Sequence, residues 1–126
     1  MPKVSVRYIV HDVESAVAFY TAHLAFRVEM RPDPTFAILS RGELQLFLSA
    51  TSGPGGGSRT LPDGRRPEPG GWNRIVLIVE DLDREVERLR RAGVPMRSDV
   101  ITGVGGKQVL LDDPSGNPIE LFEYGK

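Results

Sequence analysis

The sequence predicts an α+β fold of two tandem β-α-β-β-β modules, and three observations predict it. Short runs of alternating hydrophobic residues fill both halves of the 126-residue chain, and a helical stripe follows an aspartate in each half. The two aspartates, Asp12 and Asp81, stand 69 residues apart, and the same offset carries Ser5 to Arg74 and Val6 to Ile75. Internal duplication is the simplest account.

In the first half, Val4, Val6, Tyr8 and Val10 of VSVRYIV fall on one face of a strand and Ser5, Arg7 and Ile9 on the other. Asp12 then serves as an N-cap, and Val13, Val17, Tyr20 and Leu24 form the buried stripe of a helix that ends near Leu24. FRVEM, TFAIL and ELQLFLSA follow as three strands, the last alternating Leu44, Leu46 and Leu48 against Gln45 and Phe47. In the second half, Ile75, Leu77 and Val79 alternate with Arg74, Val76 and Ile78. Asp81 caps a helix with the stripe Leu82, Val86 and Leu89, and Gly93 stops it. Strands are expected around MRSDV, at KQVLL and, after the turn DDPSGNP, at IELFE.

Composition narrows the class of function. Hydrophobic residues make up 40% and charged residues 26%, with a formal net charge of −1, which is the balance of a soluble globular domain. Sixteen basic against 17 acidic residues give no basic stripe. The cluster Arg84, Arg88, Arg90 and Arg91 is interleaved with Glu85 and Glu87 as on a solvated helix face, so no nucleic-acid partner is expected. With no cysteine, disulfides, thiolate metal sites and cysteine nucleophiles are excluded. No apolar run approaches the roughly 18 residues that span a bilayer, and MPKVSVRY lacks a signal-peptide core. The expected location is cytoplasmic, with no membrane association.

The segment from 51 to 74 holds seven glycines and four prolines at the junction of the modules. Loops of that length are lids or linkers. The predicted organisation is therefore one domain: module one at 1–50, a flap or linker at 51–71, and module two at 72–126. Gly53, Gly55, Gly56 and Gly57 loosen the front of the junction, whereas Pro62, Pro67 and Pro69 stiffen the rear, which carries Arg65 and Arg66. Neither GPGGGS nor GVGGKQ meets the spacing of a phosphate loop, and no helix follows either, so loop flexibility is their expected role.

Paired β-α-β-β-β modules, with HDVESAVAFYTAHLAF opening one and DDPSGNPIELFE closing the other, resemble the vicinal oxygen chelate superfamily. That group includes glyoxalase I, extradiol dioxygenases, fosfomycin-resistance enzymes and bleomycin-binding resistance proteins. Ala25 departs from the glycine usual in the family's LGF turn. The resemblance implies curved mixed sheets enclosing a cavity, and a homodimer whose modules pair within or between chains. It also implies metal-ligand positions on the first and last strands of each module. Carried over by motif, these are Ser5, Phe47 (or, with a two-residue slip, Gln45), Arg74 and Glu120.

Of these only Glu120 is a conventional ligand, and one carboxylate does not hold a catalytic divalent ion, which needs about three protein ligands. Arg74 adds a permanent positive charge and is expected to pair with Glu120 where a metal would stand. His11 and His23 fall outside the ligand positions, and Ser5 has no visible base to activate it. Strand parity puts Phe47 and Phe122 on the cavity face, with Phe36 among the large aromatics and Trp72 where the loop enters module two. The expected function is metal-free binding of a small, partly aromatic molecule. Ser5, Arg7, Gln45, Arg74 and Glu120 supply polar anchors, and Phe36, Phe47, Trp72 and Phe122 supply stacking area. No cofactor is expected. The alternative is an enzyme of the superfamily, of lyase, isomerase or dioxygenase type, with Glu120 as metal ligand or general base; a divalent metal belongs to that alternative alone.

Overall fold

A computed structural model describes residues 4–51 and 59–125. The chain forms two compact units, Met1–Gly70 and Gly71–Lys126. The first runs β1 (Val4–Val10), α1 (Val13–His23), β2 (Arg27–Asp33), β3 (Phe36–Arg41) and β4 (Leu44–Ala50). The second runs β5 (Ile75–Ile78), α2 (Leu82–Arg91), β6 (Ile101–Thr102), β7 (Gly106–Asp112) and β8 (Pro118–Tyr124). Each unit holds one mixed four-stranded sheet, ordered β1-β4-β3-β2 and β5-β8-β7-β6. In both, the first strand lies parallel to the last and the remaining pairings are antiparallel. The expected duplication is thus a duplication of topology.

Each helix starts where its aspartate places it. Asp12 accepts from the Ser15 N–H at 3.2 Å and from the Ser15 hydroxyl, and Asp81 accepts from the Arg84 N–H at 3.1 Å, relieving one orphan donor of each first turn. Those bonds from Ser15 hold the Asp12 carboxyl below the usual aspartate range. Glu123 of β8 adds a cap that the sequence reading missed, accepting from the Leu82 N–H at 2.8 Å. The helices close differently. Gly93 takes φ 77° and the Val94 N–H returns to the Leu89 carbonyl, a turn that glycine makes cheaply.

After α1 the same left-handed position falls to Ala25, at φ 57°. A Cβ there meets the following carbonyl, so Ala25→Gly is expected to stabilise the chain by about 0.5–1 kcal/mol, read as a higher unfolding midpoint in urea. An unchanged or lower midpoint would show that the turn carries no such strain.

One face of each sheet packs beneath its helix. Val10, Ala37, Leu39, Leu46 and Leu48 are buried with Val13, Val17 and Tyr20 of α1, where Tyr20 meets Phe26 edge-on at 5.4 Å. Leu77, Val109, Leu111, Ile119 and Leu121 are buried with Leu82, Val86 and Leu89 of α2. Burial of each such side chain is worth about 1.5–3 kcal/mol. With these faces committed, the alternate residues are left on the opposite face.

Two expectations need correction. MRSDV does not form a strand: Met96 makes an isolated bridge to Leu111, and β6 is displaced to 101–102. The Arg97 and Ser98 N–H groups both turn to the Leu110 carbonyl, while the Ser98 hydroxyl oxygen takes the Leu110 N–H at 3.0 Å, which interrupts the ladder. In GVGGKQ, Gly106 lies in β7 rather than in a flexible loop. A Cβ built on it meets the Glu123 carbonyl oxygen at 2.1 Å. Close approach of two strands, not freedom, is what glycine supplies there.

At the junction, Gly53, Gly55, Gly56 and Gly57 lie outside the described residues. The rear part turns on itself: the Gly64 N–H donates to the Leu61 carbonyl at 2.9 Å, the Leu61 N–H donates to the Arg65 carbonyl at 2.8 Å, and Arg65 pairs with Asp63. Among the described residues no helix is long and apolar enough to cross a membrane.

Candidate functional site

The first unit presents a polar and aromatic face opposite α1. Register sets Arg7 beside Phe47 and Phe47 beside Ile38, with the row Ser5, Gln45 and Ser40 on one side and Ile9, Ser49 and Phe36 on the other. Ser5 donates to Gln45 Oε1 at 3.0 Å, so those two expected anchors satisfy each other in part. The Arg7 guanidinium lies 5.3 Å from the centroid of Phe47, and Phe36 meets Phe47 edge-on at 5.7 Å. Of the predicted site residues of this unit, Arg7 and Phe36 therefore contact Phe47, and Ser5 and Gln45 form the neighbouring row.

The second unit is organised around an ion pair. Glu120 is only 7% exposed although it faces away from α2, because its Oε1 accepts from Arg74 Nε at 2.9 Å and from Nη2 at 2.8 Å. Arg74 Nη1 donates to the Trp72 carbonyl at 3.2 Å. All three guanidinium nitrogens are spent within the unit. Phe122 lies two residues on, edge-on to Tyr124 at 5.2 Å.

Sequence reasoning missed Arg97. Its Nε donates to Asp112 Oδ1 at 2.9 Å, Nη1 to the Gly71 carbonyl at 2.6 Å and Nη2 to the Gly116 carbonyl at 2.9 Å, while its guanidinium covers the Trp72 ring at 4.9 Å. Trp72 nevertheless remains 69% exposed, an aromatic surface held in place from one side. Nothing in the pattern around MRSDV marked Arg97, because the strand break that frees it depends on Ser98 bonding to a distant strand. Arg97→Leu is expected to cost about 2 kcal/mol, since it leaves Asp112 and two carbonyls without their donor. It should also lower the fluorescence anisotropy of Trp72, the single tryptophan. An unchanged anisotropy would mean that Trp72 is held by something else.

The turn that delivers Glu120 is built by Asp113, which is buried. Its Oδ1 accepts from the Ser115 and Asn117 N–H groups at 2.8 and 2.9 Å, and Oδ2 accepts from Asn117 Nδ2 at 3.0 Å. Gly116 takes φ 82° between them. This is why DPSGNP is a specific motif: each of its polar positions carries a bond, and the strand that follows starts in a fixed register.

The four positions that resemblance assigns to a metal do not fit a divalent ion. Serine and phenylalanine offer one weak donor in the first unit, and in the second an arginine occupies the carboxylate oxygen. Among the described residues no three His, Asp or Glu side chains converge to hold a metal. A shallow depression lined by Thr102, Val104, Lys107, Glu123 and Tyr124 has a volume of about 180 Å³ and includes none of the predicted site residues. It is smaller than the roughly 300 Å³ at which ligand pockets begin.

The duplicated β-α-β-β-β topology, with one mixed four-stranded sheet in each unit, defines a fold of the glyoxalase type. The chain belongs to the Glyoxalase/Bleomycin resistance protein/Dioxygenase superfamily, whose model matches residues 4–121. It is 31% identical over 122 residues to YwkD of Bacillus subtilis, an uncharacterized protein, with 91% of each chain covered. Its fold resembles TnmS3, an antibiotic-binding protein of a Streptomyces strain, at TM-score 0.74 and 23% identity, covering 99% of this chain and 98% of that one. It equally resembles lactoylglutathione lyase of Agrobacterium tumefaciens, at TM-score 0.74 and 20% identity, covering 97% and 92%. A binding protein and an enzyme share this fold, so function has to be argued from the side chains.

Proposed function

We propose that the protein binds a small, flat, partly aromatic molecule without a metal, as an antibiotic-binding member of the superfamily does. The observation that carries this reading is the Arg74–Glu120 pair: the one conventional metal-ligand position is neutralised by a guanidinium that also bonds to the Trp72 carbonyl. Phe36, Phe47, Trp72 and Phe122 supply area for stacking, and Ser5, Arg7 and Gln45 supply polar contacts. On the same reading the chain works as a cytoplasmic homodimer with no nucleic-acid partner.

The second reading, catalysis through Glu120, is favoured by the burial of that carboxylate, since enzymes place acid–base groups in such surroundings. Against it, Oε1 of that carboxylate is already paired with two nitrogens of the Arg74 guanidinium.

A thermal-shift screen separates the two. Aromatic natural products should raise the unfolding temperature, by an amount equivalent to about 2.7 kcal/mol at 100 times the dissociation constant, and zinc, nickel or manganese should not. Stabilisation by a divalent ion alone, with turnover of a glyoxalase-type substrate, would reverse the conclusion.

A further inference from the structure

We infer that the molecule bound by the first unit carries an anionic oxygen group on its flat ring, a carboxylate or an ionised phenol, and that Arg7 is the residue that selects it. This rests on the binding reading above and specifies its ligand class.

The inference comes from which polar groups on the face are already spent. Ser5 is bonded to Gln45, and Glu29 is bonded to Arg27 and to Ser40. Arg7 differs from them: no carboxylate of the described residues lies within 4.0 Å of it, and its guanidinium lies over the Phe47 ring. A guanidinium carries five N–H donors in a planar fork suited to a carboxylate, and stacking on an aromatic face leaves the edge that bears them available. An exposed arginine free of partners ordinarily samples water. This one is laid along Phe47, which is itself packed against Phe36, so cation and rings are placed side by side before any ligand arrives.

The second unit supplies the contrast. The Arg74 charge is cancelled by Glu120, so an anion gains little there. Charge selection therefore falls to Arg7.

The test uses three probes of one shape: anthracene carboxylate, anthracenemethanol and aminomethylanthracene, titrated into the full chain by calorimetry at low and at physiological salt. The carboxylate is expected to bind about tenfold more tightly than the alcohol, the amine more weakly than either, and the margin to shrink as salt rises. Arg7→Met should abolish the margin by weakening the carboxylate more than the alcohol, and Arg7→Lys should restore part of it. The melting temperature of each variant checks folding, which an exposed side chain should not disturb. Binding without charge preference, or a preference that survives Arg7→Met, overturns this inference and leaves the binding reading standing. If none of the three probes binds the unaltered chain, the binding reading fails for flat aromatics and this inference falls with it.

Discussion

Gly106→Ala is expected to destabilise the protein by about 3–5 kcal/mol, the sum of an overpacked contact and a strained backbone. The alanine Cβ would sit 2.1 Å from the Glu123 carbonyl oxygen and 2.9 Å from the Gly125 nitrogen, both backbone atoms that cannot swing aside. Gly106 also takes φ 152°, and the N–H of Gly103 donates to its carbonyl at 2.8 Å. Separation of β7 from β8 at this end would relieve the clash at the expense of the ladder that carries Phe122 and Glu123. Gly105→Ala is the control: its Cβ would touch only the Phe122 ring, at 3.9 Å, an ordinary contact. Chemical denaturation of the two variants should therefore separate neighbouring glycines by several kcal/mol. Equal, small losses would mean that the strands are not pressed together at Gly106.

Arg74→Leu is expected to cost about 3 kcal/mol, because it leaves the Glu120 carboxylate buried with its two strongest donors removed. The figure lies at the lower end for a broken buried pair, since the Arg74 side chain keeps 27% of its exposure and water can reach part of the site. Removing both charges with Arg74→Leu and Glu120→Leu together should recover much of the loss, as an apolar pair no longer has a charge to desolvate. A double-mutant cycle in urea reads this directly. If the two single losses simply add, the residues are energetically independent and the neutralised site is an accident of geometry.

The fold was largely legible in the sequence because its determinants are local. Alternation placed Leu46, Leu48, Leu77 and Leu121 on the helix-facing side, and the side chains of Asp12 and Asp81 bond within their own first turns. The failures were non-local. Ser98 breaks a strand by bonding to Leu110, twelve residues away, and Gly106 is demanded by a carbonyl on another strand. The same division holds at the candidate site. Parity was enough to pair Arg74 with Glu120 and to single out Arg7 and Phe47 as residues facing away from the core, whereas Arg97 reaches Gly71, Asp112 and Gly116 at once, and no spacing in the sequence announces such a convergence.

Metal-free binding requires that the Arg74–Glu120 pair has taken the place of a metal. Elemental analysis of the purified, unstripped protein measures this most directly. The expected result is no zinc, nickel, manganese or iron in stoichiometric amount, and no change in the affinity for an aromatic ligand after treatment with a chelator. A stoichiometric divalent ion in each chain, lost to the chelator together with binding or turnover, would contradict it.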